Sequence, residues 1–376
     1  MFLPIEQVRD PFTWYQRMRE TRPVYYDEEH HTWSVFRYED VRRVLTDYET
    51  FSSQMMGGAH LLGASIINLD PPRHRKLRSL VTQAFTPRAI AGMAPRITTI
   101  VHELLDQAAP RNRMDIIEDL AYPLPVIVIA EMLGVPARDR ARFKLWSDLI
   151  VGTNDGGGAA YQQEMREYFM GMLEQRRREP RNDLLTALQE AQIDGERLSV
   201  DEMVSFCLLL LVAGNITTTN LIGNAILSFH EHPQALEQLY ADPGLLPGAI
   251  EEVLRYRSPV SRMFRLSVSE AVIGGQRIEP GQLVIAWIGS ANRDPEVFPD
   301  AESFDIRRAP NPHIAFGHGI HFCLGAPLAR LEAKIALEAI LERFQNIRIT
   351  QDEPLEPLSD VILHGFRRVP IAFERV

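Results

Sequence analysis

The stretch Phe316–Gly325, FGHGIHFCLG, sets one of the chain's two cysteines among three glycines and two histidines. A cysteine buried only for packing needs no glycines around it, and Cys207, in SFCLLLL, fits that description. A metal-ligating thiolate does need a tight loop whose backbone N–H groups can turn toward sulfur. The residues that follow, LGAPLARLEAKIALEAILERF, read as a helix with Pro327 in its first turn. Cys323 therefore precedes a helix N-terminus, where the dipole and unpaired N–H groups favour a thiolate. Gly317, Gly319 and Gly325 are expected to supply the backbone freedom of the loop. An iron porphyrin on one thiolate accounts for a single cysteine with no second ligand beside it. Zinc held by His318, His321 and Cys323 is the rival, and it needs a further ligand. The local sequence favours haem.

Composition narrows the class. The chain has 376 residues, 45% hydrophobic and 24% charged, enough for a sizeable core without staples. Two cysteines exclude a disulfide framework and point to a reducing cytoplasm. A net charge of −10 argues against nucleic acid as a partner. The longest unbroken apolar run, Phe206–Gly214, has nine residues against the ~20 that span a bilayer, so no membrane is expected.

No repeat or long linker divides the chain, which reads as a single domain over 1–376. PVYYD and TWSVF read as strands, YEDVRRVLTD as a helix, and helical periodicity dominates from Pro87 to Phe229. Between Leu266 and Ile288 β-branched runs broken by Gly-Gly and Pro-Gly predict a small meander. Leu328–Phe344 reads as helix and VILHGFRRVPIAFERV as strands. The fold class is mainly α with small β-sheets. One helix stands out: a Ser199/Glu202 capping box opens a pattern that runs to about His230. Its centre, LVAGNITTTN, is a poor helix former and suggests a ligand pressed against it.

The loop around Cys323 resembles the haem-binding loop of cytochromes P450, Phe-Gly-x-Gly-x-His-x-Cys-x-Gly. Phe316, Gly317, Gly319, His321, Cys323 and Gly325 match every fixed position. Glu252 and Arg255 in EEVLR match the family's Glu-x-x-Arg, and Arg308 the third member of its buried ion network. DPPRHRKLR (Asp70–Arg78) resembles Asp-Pro-Pro-x-His-x-x-x-Arg. The resemblance implies a P450 fold of the soluble bacterial type, with the long central helix over the haem. It implies haem b ligated by Cys323, with His74, Arg78, Arg265 and His321 on the propionates. On the long helix, Ala213 and Gly214 would leave room for oxygen and substrate, and Thr217 matches the family's alcohol. The position before that alcohol is usually acidic in the family, and here it is Ile216. Asn215 is a candidate for ordering a substitute water.

The implied function is a haem-thiolate monooxygenase placing one oxygen atom from O2 into a small apolar substrate. Electrons would come from NAD(P)H through ferredoxin reductase and ferredoxin. Basic residues around Arg73, Arg75, Lys76, Arg330 and Lys334 are expected to form the docking face. A hydrogen-peroxide-driven peroxygenase, suggested by Ile216, and a non-catalytic haem-binding protein are the alternatives. By family position the substrate would meet 60–67, Leu209–Ala213, Val260–Phe264 and Ile362–Leu363. The glycine-rich stretch 151–160 is expected to be a mobile connection over the channel.

Overall fold

The computed structural model describes residues 8–54, 65–143, 145–146, 158–350, 354–358 and 362–376. Residues 151–157 of the expected channel connection (151–160) and most of the candidate wall at 60–67 lie outside these residues, and 158 onward is helical.

Helices dominate, as the periodicity predicts. The longest, Val200–Glu231, has 32 residues and is about 48 Å long at 1.5 Å per residue. Its start is set locally. The Ser199 side chain accepts the Glu202 N–H, and the Glu202 carboxylate accepts the Ser199 N–H at 2.9 Å. The weak centre stays helical. Thr217, Thr218 and Thr219 each donate a side-chain hydrogen bond to the carbonyl four residues back, at 2.8, 3.2 and 3.1 Å. Helices Pro123–Met132, Gly158–Arg178, Leu246–Tyr256 and Ala326–Arg343 pack around it. By length and composition this helix could cross a membrane, but 72% of its apolar window is buried in the fold, as in a core helix.

The strands form two main sheets. Val24–Asp27, Thr32–Val35, Leu283–Ala286, Met263–Ser267 and Phe51–Ser52 lie side by side in that order. The Thr32–Val35 and Leu283–Ala286 pair is parallel, which brings the N-terminal hairpin against the expected meander. That meander is split: among the described residues Ala271–Ile273 and Gln276–Ile278 pair only with each other. Among the described residues of the C-terminal stretch only Pro370–Arg375 is a full strand, joined to Phe344–Ile349 and Arg113–Asp115. Leu363 and Phe366 make single bridges to Val260 and Pro357 instead. Phe344 opens a strand rather than closing the preceding helix, which ends at Arg343.

Candidate active site

The cysteine loop is closed by its own backbone: the Cys323 N–H donates to Phe316 O at 2.9 Å, and Gly317 N–H to Ile314 O at 2.9 Å. Gly317 and Gly319 have φ of +74° and +71°, a region that favours glycine. A side chain on Gly319 would also meet Thr46 at 3.1 Å. Gly325 differs from the expectation. Its φ of −80° asks for no glycine, and it serves as the cap of helix Ala326–Arg343, whose first turn holds Pro327. Burial raises the Cys323 thiol, while the Gly325 and Ala326 N–H groups and the charges of Arg78 and Arg330 pull it down. All four favour the thiolate. Phe316 lies under the Arg330 guanidinium at 4.5 Å.

Four side chains from three distant segments meet beside this loop. His74 and Arg78 come from helix Arg73–Ala84, Arg265 from strand Met263–Ser267, and His321 from the loop itself. The His74 and His321 rings lie 4.3 Å apart, and Arg78 Nη2 donates to Phe322 O at 2.7 Å. His74 is 2% exposed, and its Nδ1 has no partner among the described residues. Burial, then the charges of Arg265, His74 and Arg78, push the His321 imidazole down to about 3. Burial likewise lowers Arg265 to about 10, opposed by Asp70. A cluster of cations and imidazoles facing one carboxylate has room, electrostatically, for anions from outside the chain. That donor set, next to a lone thiolate loop, fits haem b with its two propionates. Sequence reasoning missed Ser53, whose hydroxyl lies 3.0 Å from His321 Nε2. It is 268 residues away in FSSQ, where no spacing marks it. Ser53 N–H also donates to Asp70 at 3.1 Å, fixing that carboxylate beside the cluster.

The long helix shows where its open side lies. Ala213 is exposed and Thr217 half-buried, one turn apart in a helix otherwise mostly buried. Thr217 and Ala213 thus lie on its open side. Gly214 does not: a Cβ there would meet Ile129 Cδ1 at 2.7 Å, so its lack of side chain admits helix Pro123–Met132 rather than oxygen. Asn215 is also turned inward and fully buried. Ile216 is 8% exposed.

The ion network forms as the motif predicts. Glu252 and Arg255, both fully buried, share two hydrogen bonds of 2.8 Å. Arg308 Nε and Asn311 Nδ2 each reach Glu252 at 3.2 Å, and Arg255 donates to the Asn292, Ala301 and Ser303 carbonyls. A buried network this complete tolerates its charges. The expected basic face is largely neutralised. Arg73 pairs with Glu202, Lys76 with Glu196, Arg330 with Glu251 at 2.7 Å and Lys334 with Glu338 at 3.1 Å.

The cytochrome P450 family model matches residues 6–140 and 244–368. A putative cytochrome P450, YjiB of Bacillus subtilis, is 48% identical over 95% of this chain and 92% of its own. The PikC monooxygenase of Streptomyces venezuelae is 40% identical, covering 97% and 92%. Substrate-free CYP109E1 of Bacillus megaterium superposes with a TM-score of 0.94 at 42% identity, covering 98% of this chain and 99% of that one. The chain belongs to the cytochrome P450 family. It is a haem-iron oxidoreductase with protoporphyrin IX as cofactor.

Proposed function

We propose that the chain acts as one domain, in the cytoplasm, to insert one atom of O2 into an apolar substrate. NAD(P)H supplies the electrons through a ferredoxin reductase and a ferredoxin. The balance is RH + O2 + 2e− + 2H+ → ROH + H2O. The observation that carries this reading is Cys323 under the Gly325 and Ala326 N–H groups, beside the His74, Arg78, Arg265 and His321 cluster. Cys323 would hold the iron and those four side chains the propionates, with Phe316, Gly317 and Gly325 shaping the loop. When bound, the haem supplies the oxygen-activating chemistry, favoured by thiolate ligation. The chain orients the substrate, excludes water and manages protons at the Thr217 hydroxyl.

Substrate contact is assigned to Leu209–Ala213, Val260–Phe264 and Ile362–Leu363. Ser261 N–H donates to Ile362 O at 2.7 Å, which joins the last two into one wall. CYP109E1 has been crystallised with corticosterone and with testosterone. These complexes support an apolar substrate of similar size. For the electron donor, exposed Arg75 is the basic residue left without an ion pair among the described residues of that face. A peroxygenase is the second reading, favoured by the buried apolar Ile216.

Cys323→Ser is expected to abolish the red-shifted Soret band of the reduced carbon monoxide complex, and Cys207→Ser to preserve it. Retention of the band in both variants would sink the assignment. Product yield from substrate with peroxide alone, against a reduced ferredoxin system, separates the two oxidant readings.

A further inference from the structure

Beyond Thr217 the long helix carries buried polar side chains with atoms left unbonded among the described residues. Thr217, Asn220 and Asn224 fall on one face, three and then four residues apart. Asn220 is 1% exposed, and neither its amide oxygen nor its amide nitrogen has a partner among the described residues. The amide packs on Gly365, where a Cβ would sit 2.3 Å from Asn220 Oδ1; that glycine gives Asn220 its space. Asn224 is fully buried. Its Nδ2 donates to the Arg257 and His364 carbonyls at 3.0 and 3.1 Å, and its Oδ1 is unpartnered among the described residues. Arg257 Nε is buried and unpartnered in the same sense. The Arg257 guanidinium then pairs with Glu231, the last residue of the helix, whose side chain is 40% exposed.

Leaving a buried amide unbonded costs stability, so these atoms call for partners beyond the described residues, and water is the natural one. Side chains at i, i+3 and i, i+4 have Cβ atoms about 5–6 Å apart, a gap that a water with two hydrogen bonds of ~2.8 Å spans. Buried water typically makes about three such bonds to groups of this kind. Thr217 commits its hydroxyl hydrogen to Ala213 O at 2.8 Å, leaving its lone pairs to accept.

We infer that Asn220 and Asn224 position a file of buried water running from the Glu231 end of the long helix to Thr217, and that this file carries the protons Ile216 cannot. The inference rests on the monooxygenase reading above. Each turnover consumes two protons and two electrons in making one water. Protons enter from solvent at Glu231, and each water in the file passes one on as it receives one, so the file is unchanged. Asn220 and Asn224 are positioning residues; their amides orient water and transfer no proton themselves.

Two measurements decide this. A crystal structure of the haem-loaded chain should show ordered water bonded to the Asn220 amide and to Asn224 Oδ1; amides packed dry overturn the proposal. Asn220→Leu should lower product per reduced nicotinamide by about tenfold, a modest fraction of what proton-transfer groups supply. The missing equivalents should appear as hydrogen peroxide. Peroxide-driven turnover and substrate affinity, read from the Soret shift, should hold. Asn220→Asp, of the same shape and still polar, should restore the yield. An unchanged yield in Asn220→Leu, equal losses with both oxidants, or no recovery in Asn220→Asp each overturn it. The carbon monoxide band of the unaltered chain tests the haem-thiolate reading separately, since it does not depend on Asn220.

Discussion

Position 216 shows how one side chain changes a chemical route without disturbing the helix that bears it. Ile216 is nearly buried beside Thr217, and it fills with methyl groups a place where a carboxyl could move protons. A glutamate there would be desolvated, which raises its pKa toward neutrality and suits a proton carrier. Ile216→Glu is therefore expected to raise product per reduced nicotinamide in the ferredoxin system, and to gain more in an Asn220→Leu background. A yield that does not rise in either background would show that proton supply at this site is not limiting. The cysteines make the same point about context. Cys207, buried in the core of the long helix, has its thiol pushed far up by burial; burial raises Cys323 as well, but there four groups oppose it.

Among elements, the absence of a side chain decides how closely two pieces approach. Gly214 and Gly223 each face the tip of an isoleucine, Ile129 and Ile117, at 2.7 Å from where a Cβ would stand. Between them the Thr219 hydroxyl shares its hydrogen between Asn215 O at 3.1 Å and Ala121 O at 3.0 Å, the latter in the π-helical turn Ile117–Ala121. Gly248 is more constrained, because its Cβ would meet a backbone atom, Ile306 O, at 2.8 Å. That contact seats helix Leu246–Tyr256, bearing Glu252 and Arg255, against the segment bearing Arg308. Gly248→Ala should destabilise by about 1–3 kcal/mol through overpacking, although alanine is the better helix former. Gly171, in helix Gly158–Arg178, has nothing within 4 Å of a Cβ, and Gly171→Ala should stabilise by up to about 1 kcal/mol. Denaturant midpoints of the two variants check both signs, and equal shifts would refute the steric account.

For the molecule as a whole, buried titratable groups set the pH range of stability. Glu332, 1% exposed in helix Ala326–Arg343, has its carboxyl raised well above the usual range by burial, and its Oε2 has no partner among the described residues. The native state keeps a proton there that the unfolded chain releases. Its contribution is therefore fully present below about pH 4.5 and is lost as pH rises toward the folded value. His364 works from the other side. Burial, then Arg257, lowers it to about 4, so its contribution is present above about pH 6.5 and lost as pH falls through 4. Glu332→Gln should thus raise the melting temperature at pH 8 and leave it nearly unchanged at pH 4.5. Equal shifts at both values would mean that Glu332 is paired in solution.

The cysteine loop, the Glu252–Arg255–Arg308 network, the capped long helix and the Asp70–Arg78 motif were legible in sequence because each is a local pattern. A thiolate under a helix N-terminus needs Cys, Gly and Pro at fixed offsets, and a capping box needs two residues three apart. The parallel pairing of Thr32–Val35 with Leu283–Ala286 was not legible, since no short-range spacing records which strands meet. Nor was Ser53 beside His321, or the pairing of Arg73 and Lys76 with acids more than a hundred residues away. The packing of Gly214 on Ile129 was hidden for the same reason: in LVAGNITTTN a residue's type is visible but the face it turns to its neighbours is not. By itself the sequence determined the chemistry of the site and the helices that carry it. Only the tertiary structure decided which helix residues stay exposed and which buried amides lack a partner among the described residues, because both depend on which distant segments come to rest against them.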